Sequence, residues 1–326
     1  MKNTYKEVDI FLAQARGEVD AKAPELAEAR ETIKDLSAKY VDTKDKGIRT
    51  ELAEITTVVA NEILRKKTQY IELFGDVKRT KTNERVQFEI ERDLTSAEFT
   101  AKGVAGDRGT VIKEYTSMAT EFVTTRPYIA FLDLASGRIS FDSIAAKSAE
   151  KMEFAIVNRL ETTMFNAFSA MAAPNYGTAA GVAPAVIDPM IDAFGRFGPV
   201  SVVGDQTAVG AITTIGGWVP ATLPEALAIE YNRNGHIGTY HTANVVKMTN
   251  PFRPNTLNNT ALRQDLLYIL TSGDEGRRSL KVQFEGDMIM RENEDFKTGD
   301  YEMMMGIMFG AAVVGAEHYM GIYRIQ

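Results

Sequence analysis

The sequence lacks cysteine altogether and carries only three histidines among its 326 residues, His236, His241 and His318. The absence of cysteine excludes disulfide bonds and thiolate metal sites. So few histidines leave little material for acid–base chemistry or metal coordination, the two roles in which histidine is commonest. The composition therefore points first to architecture and only second to catalysis.

Charge of one sign and long apolar runs are also scarce. The formal net charge is −7, whereas a general nucleic-acid-binding surface needs clustered positive charge. The longest uncharged apolar run, Met303 to Ala316, is too short to cross a bilayer. The first twenty residues carry charges throughout and contain no signal-peptide apolar core. We expect a soluble protein made in a cytoplasm.

The pattern that is present begins with helices in residues 1–75. Pro24 suits a first helical position. The apolar residues after it recur at spacings of three and four, namely Leu26, Ala29, Ile33, Leu36 and Tyr40. A second stripe follows a break at 44–47 and comprises Ile48, Leu52, Ile55 and Val59. Both stripes are too short to establish a coiled coil. We interpret them as amphipathic helices that lie on a neighbouring domain.

A period of two replaces the helical spacing at residues 83–92. Val86, Phe88 and Ile90 alternate with polar residues, which predicts a half-buried strand. A glycine-rich stretch at 103–109 follows before a second strand begins. The pattern predicts a long hairpin with a polar tip. Such a hairpin has little core of its own and is expected to lie against another element or another subunit.

The longest helix candidate runs from Ser140 to about Ala172. Its apolar residues form a row four apart, Ile156, Leu160, Met164 and Phe168. Ser140 or Asp142 is expected to accept its first free amide hydrogens. At 1.5 Å per residue, the helix would be a rod of about 45 Å that supports other elements.

The rest of the chain alternates helix and strand signals and then returns to strands. Residues 178–250 predict a compact α/β lobe with helices at 186–197, 205–215 and 224–232, strands at 199–203, 236–240 and 245–249, and a turn near Asn244. A polar, proline-bearing loop is expected at 251–259. The strands predicted beyond it span 266–271, 279–284, 287–291, 301–315 and 319–325.

The usual chemical motifs yield no assigned site. Residues 204–206 (Gly-Asp-Gln) stand where a phosphate loop would, but no Gly-Lys-Ser/Thr follows, and we interpret them as a helix-capping turn. His236 and His241 have no obvious carboxylate partner for a metal, and His318 lacks the second histidine of a zinc-protease motif. We predict no catalytic, cofactor-binding or metal-binding residue and therefore no enzyme.

Two clusters receive structural interpretations. Glu292, Glu294, Asp295 and Asp300 lie in a lysine- and glycine-containing stretch between two apolar strands. That arrangement is typical of a solvated hairpin turn. The methionines Met303, Met304, Met305 and Met308 are expected to fill the core.

The order of these parts resembles the major capsid protein of tailed bacteriophages, whose fold is named after phage HK97. Residues 236–250 (HIGTYHTANVVKMTN) are similar to the strand, turn and strand that close the lobe in that family, with Ala-Asn-Val-Val where the family has a glycine pair and Pro-Val-Val. The resemblance implies an α+β fold with a helical N-terminal arm at 1–78, an extended E-loop hairpin at 79–118, a peripheral domain with a spine helix at 119–178, an axial domain at 179–250, and peripheral return strands at 251–326. The arm would lace neighbouring subunits or be a fused scaffolding segment.

The function that this resemblance implies is structural. The chain would self-associate into pentamers and hexamers and build the icosahedral head of a virion around double-stranded DNA, with no membrane. Scaffolding, portal and decoration proteins are the further partners it suggests. A hairpin and an arm that bury little within one subunit would find their contacts between subunits. The alternatives are an encapsulin-type nanocompartment shell of the same fold and a cytoplasmic α/β enzyme.

Overall fold

The computed structural model describes residues 4–20, 22–73, 75–84, 86–93, 111–129, 131–216, 237–248, 250–253, 256–271, 278–294, 301–314 and 319–326. The helices within these residues are α1 (Thr4–Arg16), α2 (Pro24–Thr43), α3 (Lys46–Lys67), α4 (Phe131–Ala135), α5 (Phe141–Phe168), α6 (Pro184–Gly195) and α7 (Gln206–Gly210), with 3₁₀ turns at Gln69–Leu73 and Ala211–Thr214. None of the helices in this described part is both long and apolar enough to cross a membrane.

The strands of the same residues are β1 (Gly75–Thr80), β2 (Phe88–Asp93), β3 (Val111–Thr116), β4 (Glu121–Thr125), β5 (Tyr128–Ile129), β6 (Tyr176–Ala179), β7 (Val200–Gly204), β8 (Thr239–Tyr240), β9 (Ala243–Lys247), β10 (Leu266–Thr271), β11 (Leu280–Glu294), β12 (Tyr301–Val313) and β13 (Met320–Ile325). They form a five-stranded sheet, a six-stranded sheet and a separate two-stranded sheet.

The N-terminal helices form where the apolar stripes predict them. The stripe of α2 is buried except at Leu36, which is partly buried. Lys44 ends this helix in the left-handed conformation, with φ 53°. Asp45 then caps α3, since its Oδ1 accepts a hydrogen bond from the amide of Gly47 at 2.8 Å. The predicted break is therefore a capped turn.

These helices pack on the body of their own subunit. Helix α3 contacts α5 and β11, and Lys67 of α3 donates to Glu153 of α5 at 2.8 Å. Phe11 of α1 is fully buried, with its ring centroid 5.5 Å from that of Phe141 in α5. The interpretation that the helices lie on a neighbouring domain is confirmed. The expectation of an arm that buries little within its own subunit is wrong, because α1–α3 share one hydrophobic core with α5 and both large sheets.

The five-stranded sheet has the order β1-β11-β12-β4, and β5 also pairs with β12. The sequence predicts two strands at 279–284 and 287–291, whereas β11 is continuous and its register shifts between Glu285 and Ile289. Gly286 lies at this irregularity with φ 72°, a conformation that glycine adopts without steric penalty. A bulge, not a break, therefore joins the two predicted strands.

The two-stranded sheet confirms the predicted hairpin. Strands β2 and β3 pair antiparallel from Phe88 opposite Thr116 to Asp93 opposite Val111. The predicted glycine-rich tip lies outside the described residues. Phe88 is fully buried, and Nζ of Lys78 in β1 lies 4.8 Å from its ring centroid. The base of the hairpin is thus attached to the body of the subunit.

Helix α5 is the predicted spine, about 42 Å long at 1.5 Å per residue. Its row of apolar residues is buried, and it contacts β4, β12 and β13, strands of both large sheets. The expected side-chain cap is not formed. Ser140 has the N-cap position without a side-chain hydrogen bond, and Asp142 forms an ion pair with Arg30 of α2.

The six-stranded sheet has the order β6-β13-β10-β7-β9-β8, and its strand β10 is buried on both faces. In β10, Leu266, Tyr268 and Leu270 join the core shared with α5, while Leu267 and Ile269 face a second core with α6 and α7. Burial on both faces explains why this strand reads as an unbroken apolar run. The helix and strands predicted at 186–197, 199–203 and 266–271 are confirmed, and the helix predicted at 224–232 lies outside the described residues.

One detail of the lobe differs from the sequence expectation. The turn between β8 and β9 is at His241, which has φ 52°, whereas Asn244 is inside β9 and pairs with Thr239. Residues 251–326 contribute β10 and β13 to the six-stranded sheet and β11 and β12 to the five-stranded sheet. The division of the chain into domains stays a prediction.

Candidate assembly surface

The predicted helix-capping turn at 204–206 is confirmed. Asp205 Oδ2 accepts from the amide of Thr207 at 3.0 Å, so the side chain itself occupies the start of α7. A Cβ added at Gly204 would lie 3.1 Å from the carbonyl oxygen of Leu266 and 3.0 Å from Cδ2 of Leu267. The glycine is thus explained by the close approach of β7 to β10, without any phosphate.

The described histidine has a carboxylate neighbour that the sequence does not reveal. His241 Nε2 lies 3.0 Å from Asp192 Oδ1 of α6, and both side chains are exposed. His236 and His318 lie outside the described residues. Across the part of the chain that the structure covers, no group of three or more histidine, aspartate or glutamate side chains is placed to hold a metal ion.

The acidic cluster and the methionine cluster both lie in or between β11 and β12. Glu292 and Glu294 lie in the last part of β11, opposite Met303 and Tyr301 of β12, and the residues between these strands, which include Asp295 and Asp300, are outside the described residues. Met303 and Met305 are fully buried, as expected of core filler. The alternate residues Met304 and Met308 face the other side of the sheet and are half-buried.

A partly exposed polar cluster joins α5 to β10 and β13, and the sequence pattern does not indicate it. Asp265 accepts from Arg263 at 2.9 Å and from Arg324 of β13 at 3.0 Å, and the pKa of Asp265 is lowered by those hydrogen bonds against the opposing effect of burial. Glu161 of α5 is only 5% exposed. Burial raises the pKa of Glu161 to about 7, with Arg263 opposing and Asp265 adding to the shift.

A second buried charge lies in the five-stranded sheet. Lys281 of β11 is 1% exposed, and its Nζ is 3.2 Å from Asp76 Oδ2 of β1. Burial lowers the pKa of Lys281, and the attraction of Asp76 opposes that effect. The pair ties two parallel strands together inside the core and has no access to a substrate. These buried groups fit structural roles.

Apolar side chains on the surface are the features that suit association. The large ones that the structure shows as exposed are Val58, Tyr115, Phe122, Ile139, Phe197, Phe252, Leu257 and Ile289. Leu257 (83%), Tyr115 (59%) and Phe252 (48%) are the most exposed of these. Tyr115 belongs to the hairpin strand β3, and the other two belong to the loop between β9 and β10.

A spine helix that contacts two sheets, a hairpin whose two strands pair with each other, and a six-stranded sheet packed between α5 and the helices α6 and α7 define the HK97-fold class. A structure from Microbacterium phage Oxtober96 matches at TM-score 0.52 with 10% identity, covering 79% of this chain and 91% of that chain. The capsid of a native GTA particle matches at TM-score 0.50 with 12% identity, covering 79% and 90%. A virus-like particle from Pyrococcus furiosus matches at TM-score 0.47 with 11% identity, covering 85% and 98%.

The family to which the chain belongs is identified by comparison of its sequence with protein-family models. A family model described as "SPbeta prophage-derived putative capsid protein YonB" matches residues 1–324. The chain belongs to this family and is a capsid shell protein. A search of the curated proteins finds no sequence match.

Proposed function

We propose that this chain is the major capsid protein of a tailed phage or prophage and that it assembles, as pentamers and hexamers, into an icosahedral head around double-stranded DNA. The observation that carries the proposal is the match of the capsid family to residues 1–324 of a chain with the HK97 fold. Assembly in the host cytoplasm, and cooperation with scaffolding, portal and decoration proteins, are further predictions of the same proposal.

The hairpin supports association between subunits. Strands β2 and β3 pair with each other and, among the described residues, with no strand of the two large sheets. A two-stranded hairpin is marginally stable by itself in water. Tyr115 of β3 is 59% exposed, so part of the hairpin has apolar surface that its own subunit leaves uncovered. A neighbouring subunit in a closed shell would cover it repeatedly by symmetry.

The negative net charge supports a shell protein that binds DNA only weakly. The net charge of −7 gives little driving force for counterion release from phosphates, which grows with the number of basic contacts. Weak binding without sequence preference suits a genome that must enter and leave. We infer a structural role without catalysis, because the buried Lys281 pairs with Asp76 inside the core.

The proposal is tested by sedimentation of the chain expressed alone, followed by nuclease treatment of particles isolated from a cell in which the prophage is induced. We expect fast-sedimenting particles in the first case and nuclease-protected DNA in the second. Particles that protect a cargo protein and no DNA would instead indicate a nanocompartment. A discrete small oligomer in every condition, with or without scaffolding partners, would contradict the proposal.

A further inference from the structure

A basic cleft lies where the end of α3 meets β1. Its volume is about 540 Å³, within the range of small-ligand sites. The charged residues that line it are the cations Arg16, Arg65, Lys66 and Arg79 and the acidic residues Glu62 and Glu72. The cleft therefore has an excess of two positive charges, although the chain as a whole has a net charge of −7.

Two arginines of the cleft have no acidic partner. Arg16 uses one of the two carboxylates, since its Nε lies 2.9 Å from Glu62 Oε1. Arg65 and Arg79 form no ion pair with any residue that the structure describes, and Glu72 forms none there either. The uncompensated positive charge is thus concentrated on two guanidinium groups.

Arg79 is held in place from two sides. It lies directly opposite Phe284 in the pairing of β1 with β11, and its Cζ is 4.4 Å from the centroid of the Phe284 ring. Its Nη2 donates to Thr68 Oγ1, at the end of α3, at 3.4 Å. Stacking on an aromatic face orients the planar guanidinium, and the hydroxyl takes only one of its N–H donors. The other donors of Arg79 have no acceptor in the described part of the chain.

Arg65 approaches Arg79 closely enough for the two charges to interact. Burial lowers the pKa of Arg79, the charge of Arg65 lowers it further, and Glu72 opposes the shift. An anion between the two guanidinium groups would relieve this repulsion. The last turn of a helix favours cations, which accounts for Arg65 and Lys66 in α3, whereas Arg79 extends to the same place from a strand.

The chemistry of the cleft fits a phosphate group. Guanidinium groups present paired N–H donors that match the oxygens of phosphate, and a lysine adds a point charge. A phosphate monoester carries a charge of about −1.5 to −2 at pH 7, which matches the excess of two positive charges, whereas a carboxylate carries only one negative charge. Four cations in one cleft are too few for a general nucleic-acid surface, so the cleft suits a single phosphate or a diphosphate.

We propose that this cleft binds a phosphate group between the guanidinium groups of Arg65 and Arg79, with Lys66 beside them. The phosphate belongs either to a free phosphate compound or to the backbone of a nucleic acid, and the recognition chemistry is the same for both. The site goes beyond the proposed function and does not depend on assembly, since all of its residues belong to one subunit.

Calorimetric titration of the purified full chain with inorganic pyrophosphate tests the site. We expect saturable binding by the parent chain and at least ~10-fold weaker binding by Arg79→Gln, which removes charged hydrogen bonds to the ligand. Arg138→Gln removes an arginine side chain that is 78% exposed elsewhere on the surface and is the matched control, expected to bind within ~2-fold of the parent chain. Absence of saturable binding by the parent chain, or equal weakening in the two variants, would overturn the inference.

Arg65→Gln separates loss of the site from loss of the fold. Removing Arg79 also removes its stacking on Phe284, whereas Arg65 is exposed and forms no ion pair in the described part of the chain. We expect Arg65→Gln to keep the thermal midpoint of the parent chain and to bind pyrophosphate at least ~5-fold more weakly. Unchanged affinity in this variant would overturn the assignment.

An oligonucleotide identifies the source of the phosphate. A single-stranded oligothymidylate without terminal phosphates is titrated into the parent chain and into Arg79→Gln. Binding that weakens in the variant, as pyrophosphate binding does, would assign the site to a nucleic-acid backbone. Dependence on Arg79 for pyrophosphate alone would assign it to a free phosphate compound. Failure of the parent chain to assemble would contradict the proposed function and leave this site intact, and failure to bind pyrophosphate would do the reverse.

Discussion

Glu161 is the residue whose chemistry the fold alters most clearly. It lies among the apolar residues of α5 and is 5% exposed, where burial raises the pKa of its carboxyl from 4.5 to about 7. The folded state therefore binds this proton more tightly than the unfolded state does. The stability that results is fully present below about pH 4.5 and is lost as the pH rises toward 7.

A Glu161→Gln substitution tests this linkage. The free energy of unfolding of the unassembled parent chain should include a contribution from Glu161 that falls by up to about 3 kcal/mol between pH 4.5 and pH 7. The amide cannot ionise, so the variant should lack that part of the pH dependence. Urea titrations at about pH 5 and about pH 8 measure it. Glu150→Gln, an exposed position on the same helix, is the matched control, and identical pH dependence in all three proteins would contradict the account.

Gly321 tests close packing at the same scale. A Cβ at this position in β13 would lie 2.7 Å from Cε2 of the buried Phe194 and 3.1 Å from the carbonyl oxygen of Pro174. Gly321→Ala is therefore expected to lower the free energy of unfolding by about 1–3 kcal/mol. Gly210→Ala is the control, since nothing lies within 4 Å of its added methyl group and its φ of −62° suits alanine. Equal midpoints in urea for the two variants would count against this packing.

At the scale of elements, periodicity predicts those parts whose burial follows from apolar side chains alone. The rows on α2 and α5 and the run of β10 are of this kind. Other buried positions carry polar groups that the pattern counts as exposed. Ser37, Thr56 and Thr57 each donate to the carbonyl four residues earlier at 2.8 Å, which satisfies the hydroxyl inside the core. Lys281 and Glu161 are buried by residues that are distant in the sequence. Their burial is therefore not indicated by the pattern of neighbouring residues.

The placement of α1–α3 shows the same limit. Apolar stripes predict that these helices exist, but the surface they cover depends on tertiary contacts with α5 and β11. The family resemblance implies an arm that laces neighbouring subunits or a fused scaffolding segment, and it does not indicate that the same helices contribute to the core of their own subunit. The sequence predicts a loop at 251–259, but it does not indicate that Leu257 is 83% exposed there, because exposure depends on the tertiary arrangement.

Phe11→Ala distinguishes a packed helix from an extended arm. Phe11 is fully buried against Phe141, so its truncation should destabilise the unassembled subunit by about 3–5 kcal/mol. An arm that contacted only neighbouring subunits would leave subunit stability unchanged and affect assembly alone. Chemical denaturation of subunits before assembly measures the difference. Val58→Ala, a truncation at an exposed position of α3, should change stability by less than about 0.5 kcal/mol and is the control.

At the scale of the whole molecule, the subunit combines a large shared core with a few apolar side chains that are exposed on its surface. Two large sheets, the spine helix and the N-terminal helices share their cores, while Leu257, Tyr115 and Phe252 are the most exposed large apolar side chains of the described residues. Modest contacts of this kind, repeated by symmetry, stabilise a closed assembly without a single strong interface. The fold and the family thus account for a protein with no assigned catalytic site.

Electron microscopy of the purified chain in negative stain tests the central claim most directly. The account predicts closed shells, or tubes and rings of five and six subunits where closure is incomplete, and it predicts that these structures sediment far ahead of a single subunit. A uniform population of dimers or tetramers, unchanged at high concentration and in the presence of scaffolding partners, would contradict it.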